Sequence, residues 1–325
     1  MWYSAIGYIV TLTLSLFVVP LAAEAQLPAK VPRIGILSSG SLQDNSDNRD
    51  AFLQGLHALG YVEGQTIILE ERWAEQKRER LPDLAAELVR LQVEIIVAGN
   101  ATSARAASQA AERLPIVLAG GDAVGTGLIT NLAWPGGNIT GLATNAAELS
   151  GKWLELLKEA VPTRARVAVL SNPDSRFSEL AWQEMQGAAP TLGVQLQALG
   201  VRDPGELEGA FAAMRREHAE ALVVLPAARF SLRIIELAAR SRLPTIWEGR
   251  DEVAKGGLMA YGPDIASSWR RAATYVDKIL KGTPPGTLPV ERPMTFKLVI
   301  NLKTAKALGL TIPATLLFRA DEVIQ

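Results

Sequence analysis

The 325-residue chain contains no cysteine and only two histidines, and both scarcities remove chemistry before any residue is placed in space. Without cysteine there is no disulfide framework, no thiolate ligand for a metal, and no lipid-bearing cysteine behind an export signal. His57 lies within an amphipathic helical pattern and His218 at a charged helix end; neither has a second histidine nearby to suggest a metal site. Charge of one sign is also missing. Lys+Arg number 33 against 34 Asp+Glu, a formal net charge of -1, and no local basic patch stands out, so nucleic acid is not an expected partner. The usual catalytic signatures are absent as well. No Gly-x-Ser-x-Gly elbow occurs, Gly125-Thr126-Gly127 lacks the third glycine of a dinucleotide fingerprint, and Gly151-Lys152 lacks the rest of a phosphate loop. No catalytic residue, cofactor or metal site is expected.

What the chain does have is a globular composition, 48% hydrophobic and 21% charged, and enough length for two domains. Residues 1–23 carry no charged side chain and end at Ala23-Glu24-Ala25, a small-x-small cleavage pattern. Residues 1–25 therefore read as a signal peptide, with a mature chain starting near Gln26 and a periplasmic destination. An uncleaved N-terminal anchor is the alternative, since an apolar run of about 18 residues just spans a bilayer.

The stretch Pro135-Gly136-Gly137-Asn138-Ile139-Thr140-Gly141-Leu142 divides two similar series of strand and helix signals. Three glycines and a proline in eight residues disfavour a helix, while residues 139–142 can extend as a short hinge strand. Before it, apolar runs at residues 33–37, 94–98 and 116–119 and a β-rich run at 66–73 alternate with helical patterns, including Phe52, Leu56 and Leu59 on one face and Leu81, Leu84, Leu88 and Leu91 on another. After it the pattern recurs, with strands at residues 166–170, 194–199, 221–225 and 244–247. Strands alternating with single helices imply parallel sheets covered on both faces, hence an α/β protein of two Rossmann-like lobes. Glycine-bracketed residues 256–262 and the run 289–300 add two more crossings, making a three-stranded hinge. Lobe one is expected over residues 31–140 plus 262–290, lobe two over 141–261 plus 291–325, with Thr140, Gly141, Tyr261 and Gly262 at the hinge.

In open parallel sheets ligands sit at the carboxyl ends of the strands, where helix N-termini offer N–H groups to an anion. Ser38, Ser39, Asn100, Thr102 and Asp122 on lobe one, with Asn172, Glu248 and Arg250 on lobe two, suit a zwitterion: hydroxyls and amides donate to a carboxylate, and Asp122 or Glu248 accepts from an ammonium. Trp73, at a strand end, could stack on a flat apolar ligand. Each residue also has a purely structural reading. Asn100 and Thr102 cap a helix, Asp122 and Asn172 fix turns, and the tryptophan packs between lobes. The adjacent carboxylates Glu70-Glu71 and Asp251-Glu252 are expected on extended backbone, pointing to opposite faces. Residues 41–48 read as a long polar loop beside the cleft.

Several strings together carry a family likeness: Val31-Pro32-Arg33-Ile34-Gly35-Ile36-Leu37, Leu59-Gly60-Tyr61-Val62-Glu63-Gly64, Trp134-Pro135-Gly136-Gly137-Asn138-Ile139-Thr140-Gly141, Gly256-Gly257-Leu258-Met259-Ala260-Tyr261-Gly262 and Asn301-Leu302-Lys303-Thr304-Ala305-Lys306-Ala307-Leu308-Gly309-Leu310. From about Val31 to its end the chain resembles the ABC-transporter substrate-binding proteins of the group that includes tryptophan and tyrosine binders. The resemblance implies a type I periplasmic-binding fold, a small-molecule solute such as an amino acid, and an ABC permease in the inner membrane as partner to a monomeric receptor. A sensory ligand-binding ectodomain held to the membrane by its N-terminal helix is the second reading.

Overall fold

The structure is a computed structural model that describes residues 31–144, 146–163, 165–226 and 230–325. The expected signal peptide over residues 1–25 lies outside them. Among the described residues no helix is long and apolar enough to cross a membrane.

The first half of the chain runs β1 (Arg33–Ser38), α1 (Ser46–Ala58), β2 (Ile68–Trp73), α2 (Leu81–Arg90), β3 (Ile95–Ala98), α3 (Ala101–Ala110), β4 (Ile116–Leu118) and β5 (Ile139–Gly141). These strands form a parallel sheet in the order β2-β1-β3-β4-β5. Period-two alternation decides which face each apolar side chain covers. Ile34, Ile36, Ile95, Val97 and Val117 pack against α1, while Ile96, Ala98, Ile116 and Leu118 pack against α2 and α3. Each fully buried aliphatic side chain contributes about 1.5–3 kcal/mol, so these short strands are held by their two covers rather than by length.

The second half runs α4 (Ser150–Ala160), β6 (Arg166–Ser171), α5 (Arg176–Leu192), β7 (Gln195–Gly200), α6 (Leu207–Arg216), β8 (Ala221–Val224), α7 (Ser231–Arg240), β9 (Thr245–Trp247), α8 (Arg250–Ala254) and β10 (Met259–Pro263). Then follow α9 (Ile265–Leu280), β11 (Phe296–Asn301), α10 (Leu302–Ala307), α11 (Ala314–Arg319) and β12 (Glu322–Ile324). The second sheet has the order β12-β11-β10-β9-β8-β6-β7, parallel except where β10 meets β11. It too is covered twice. Val167, Val169 and Val223 face Trp153, Leu157 and Met185, whereas Ala168, Leu170 and Leu222 face Phe211, Met214 and Ile234.

Helix α9 leaves the second sheet's connectivity and packs on α1 of the first, as its place between two crossings predicts. Gly55 permits this: a Cβ there would stand 2.5 Å from the Arg270 carbonyl oxygen and 2.8 Å from Ala273 Cβ. Trp269 of α9 fills the same seam, edge-on to Phe52 at 6.3 Å.

Three segments pass between the sheets, and backbone hydrogen bonds join them. Gly141 accepts from the Glu291 N–H and Ala143 donates to the Glu291 carbonyl, each at 2.9 Å, and β10 runs antiparallel to β11. The Asp264 N–H donates to Thr295 at 2.9 Å. The α/β class, the parallel sheets and the triple crossing are as the sequence predicts.

Local expectations differ in places. Residues 41–48 are not an open loop: Gln43–Asn45 is a 3-10 turn and α1 begins at Ser46. Ser41 holds that turn, its hydroxyl donating to Asp44 at 2.7 Å. Leu59 is 38% exposed, because α1 ends at Ala58 before another turn could carry it under. Asp251 and Glu252 lie on a helix rather than a strand, so they do not point to opposite faces of a sheet. Glu70 and Glu71 do sit on extended backbone, and they pair with different partners, Arg33 and Arg49.

Candidate functional site

The carboxyl ends of β1, β3 and β4 bring Ser38, Ser39, Asn100, Thr102 and Asp122 to one edge of the first sheet. Ser38 is buried, and its hydroxyl accepts from the Gly40 N–H at 3.3 Å. Asn100 joins two neighbours. Its side-chain oxygen accepts from the Ser103 N–H at 3.0 Å, capping α3, while its amide donates to the Ser39 hydroxyl at 2.7 Å. Capping and a place on the sheet edge therefore coexist in one side chain, leaving the first-turn N–H groups of Ala101 and Thr102 to whatever lies at that edge. The Thr102 side chain itself is exposed.

Asp122 takes the Gly125 N–H at 2.7 Å with one carboxylate oxygen, while the other oxygen is buried without a partner. Burial pushes this carboxyl's pKa up, against the pull of the Gly125 and Val124 N–H groups. Gly125 is there because a Cβ would lie 2.0 Å from that second oxygen.

From the second sheet, Glu248 follows β9. Burial, with the added negative charge of Glu252 and of Asp122, pushes its pKa up to about 7. Asp122 belongs to the first sheet's edge, so part of the negative charge felt by Glu248 comes from the other sheet. Glu252 also titrates high, chiefly through burial. Sequence reasoning missed Glu252 as a site residue, because its place depends on the short helix Arg250–Ala254, which the sequence pattern does not show. Gly262 makes room for this corner: its Cβ would sit 2.3 Å from the Glu248 carbonyl oxygen.

The remaining candidates have other engagements. Arg250 makes a two-pronged ion pair with Glu322 at 2.7 Å for each arm and is exposed. Asn172 accepts from the Asp174 N–H at 2.9 Å, closing the turn after β6. Trp73 stacks on Trp269 at 6.5 Å with rings 12° apart, and its indole N–H donates to Glu71 at 3.1 Å. Glu71 also receives Arg49 at 2.6 Å, so the Trp73 ring is fixed from two sides and remains partly exposed. At the crossings, Thr140 is fully buried and donates to the Leu288 carbonyl at 2.8 Å. Tyr261 stacks on Phe296 at 6.0 Å, and its carbonyl accepts from Trp153.

A half-open depression of about 340 Å³ adjoins the crossings, lined by Val124, Leu132, Ala143, Thr144 and Arg292 among others. Arg292, which lines the depression, pairs with Glu148 at 3.4 Å, and Lys255 pairs with Asp44 of the first half of the chain at 3.8 Å. Among the described residues no cluster of His, Asp and Glu could hold a metal ion.

Known proteins share this architecture. A conserved domain protein from Vibrio cholerae is 26% identical, with a TM-score of 0.81 over 90% of this chain and 100% of its own. A Streptococcus pneumoniae protein solved in complex with L-Trp, 24% identical, has a TM-score of 0.80 over 90% of this chain and 99% of its own. A tyrosine-binding protein of Clostridioides difficile is 25% identical over 270 residues, 81% of this chain and 76% of that one. The fold is that of type I periplasmic-binding proteins. The family model described as ABC transporter substrate binding protein matches residues 33–324, and the chain belongs to that family.

Proposed function

We propose that this protein is the receptor of an ABC importer, capturing an amino acid between two lobes and presenting the closed form to a permease in the inner membrane. The lobes are residues 31–140 with 262–290 and residues 141–261 with 291–325, turning about Thr140, Gly141, Tyr261 and Gly262. One observation carries the reading: Asp122, with one carboxylate oxygen buried and unpartnered, and Glu248 each follow a strand at the carboxyl end of their own sheet. An ammonium between them would gain charge-assisted hydrogen bonds from each lobe, worth about 1.5–3 kcal/mol apiece, and would draw the lobes together.

The ligand's carboxylate would lie against the first-turn N–H groups of α3, beside Asn100 and Ser39. The exposed part of the Trp73 ring favours an aromatic or other flat side chain, and the tyrosine- and Trp-binding relatives support the same class. The receptor acts as a monomer in the periplasm and carries out no turnover. Calorimetry of the mature protein against the common amino acids, after unfolding and refolding to remove any co-purified solute, tests this. One-to-one binding of at least one amino acid is expected, and Asn100→Ala should weaken it about ten-fold. Failure of every amino acid to bind would remove the reading.

A further inference from the structure

We propose that the depression beside the crossings is a second binding site, taking a small organic carboxylate with a short apolar body, its anion held by Arg292. The inference goes beyond the amino acid reading and does not depend on it.

The connection that builds the site differs from the others of the first sheet. Helices α1, α2 and α3 carry the chain from β1 through to β4, but residues 119–138 join β4 to β5 with neither helix nor strand. Connections longer than about 12–15 residues without structure of their own are uncommon in compact domains and are usually functional or disordered. This one is tied down by hydrogen bonds. The Thr126 carbonyl accepts from Arg105 at 2.6 Å, the Leu132 carbonyl from the Val290 N–H at 2.7 Å, and the Gly121 carbonyl from the Thr144 N–H at 3.0 Å. Ala123 and Ile129 are buried in the core of the first sheet. The walls of the depression are therefore set before anything enters, as in most small-molecule pockets.

The lining suits an anion on an apolar body. Val124, Leu132, Ala133 and Ala143 supply the apolar surface, and about 340 Å³ lies at the lower end of the range of ligand pockets, roughly 300–1,000 Å³. The polar groups are donors. The Asn131 side-chain oxygen accepts from the Ala133 and Trp134 N–H groups at 2.9 and 3.2 Å, which leaves its NH2 to donate. Thr130 and Thr144 bring hydroxyls, Arg292 brings the positive charge, and no described lining residue is acidic. Arg292 gives Nη1 to Glu148 at 3.4 Å and is 54% exposed, so its fork retains N–H groups for a second carboxylate.

Position separates this site from the proposed amino acid corner. The strand order puts Trp73, at the end of β2, four strand spacings from β5, about 19 Å at about 4.8 Å each. Ser39, Asn100 and Thr102 do not line the depression. A solute of amino acid size seated between α3 and Trp73 leaves it open.

The experiment is calorimetry and amide NMR of the mature protein at neutral pH, with benzoate and isovalerate as probes and benzamide and benzylamine as controls. One-to-one saturation by at least one carboxylate is expected, with the largest amide shifts at Leu132, Ala133, Ala143 and Thr144, and with both controls weaker by about ten-fold or more. Arg292→Gln should lower the affinity about ten-fold or more, Arg292→Lys by less, and Ala133→Phe should abolish binding by filling the space. Glu148→Gln should tighten binding, because a competing carboxylate is gone; an arginine with a purely structural role would not respond in that sense. No saturation by either carboxylate at millimolar concentration overturns the site. So does equal binding of benzylamine, or shifts centred on Ser39 and Asn100 with the Arg292→Gln affinity unchanged. The amino acid reading has its own titrations, so its failure and the failure of this site are distinguishable.

Discussion

At the scale of single residues, Gly141 shapes a crossing and the Glu248 carboxyl is pushed toward its protonated form. Gly141 has φ +121, and a Cβ there would stand 2.2 Å from the Leu118 carbonyl oxygen. Gly141→Ala must strain both backbone and neighbour, and a loss of about 3 kcal/mol in urea unfolding is expected. Glu248 works in the opposite sense to most carboxyls. Its folded pKa is raised from the ordinary 4.5 to about 7, so over that window the folded protein holds a proton that the unfolded chain has released. Stability contributed at this site is therefore lost as pH rises from about 5 to 7, by up to about 1.4 kcal/mol per pH unit. Melting temperatures should show Glu248→Gln gaining on the wild type between pH 5 and pH 8; a constant difference would mean that Glu248 titrates normally.

Which residues lie at the carboxyl edge of a sheet was partly legible from sequence. Ser39, Asn100, Asp122 and Glu248 all follow strands whose apolar runs are easy to read, so their place at the sheet edge came with the strand. Glu252 was not legible, because its position depends on a five-residue helix too short to show a period. Arg250 looked available for the same reason. Only the return of the chain through β12 brings Glu322 against it.

At the scale of elements, the packing of α9 on α1 joins residues more than two hundred positions apart through Gly55. Gly55→Leu should separate the two helices and cost several kcal/mol in a urea melt, since both the Arg270 carbonyl and Ala273 stand in the way. The ion pair of Lys255 with Asp44 is a different case. Both side chains are at least 40% exposed, so Lys255→Ala should change folding stability by less than about 1 kcal/mol. Any effect should shrink at high salt. The strands and most helices could be drawn from sequence because parallel strands buried on both faces are continuously apolar, and α9 because its period is unbroken over 16 residues. The turn at residues 43–45 could not, since what folds it is one hydroxyl, Ser41, meeting one carboxylate, Asp44.

At the scale of the whole molecule, two doubly covered sheets are joined by three hydrogen-bonded crossings, and the proposed receptor requires only that the halves open and close about them. If the protein is the proposed receptor, small-angle scattering of the refolded, ligand-free protein should give a larger radius of gyration than the same protein with a bound amino acid.

The most direct test is titration calorimetry of the refolded mature protein with the common amino acids at pH 6 and pH 8. The prediction is saturable one-to-one binding of at least one of them. No heat from any amino acid at either pH, together with no change in melting temperature, would contradict it.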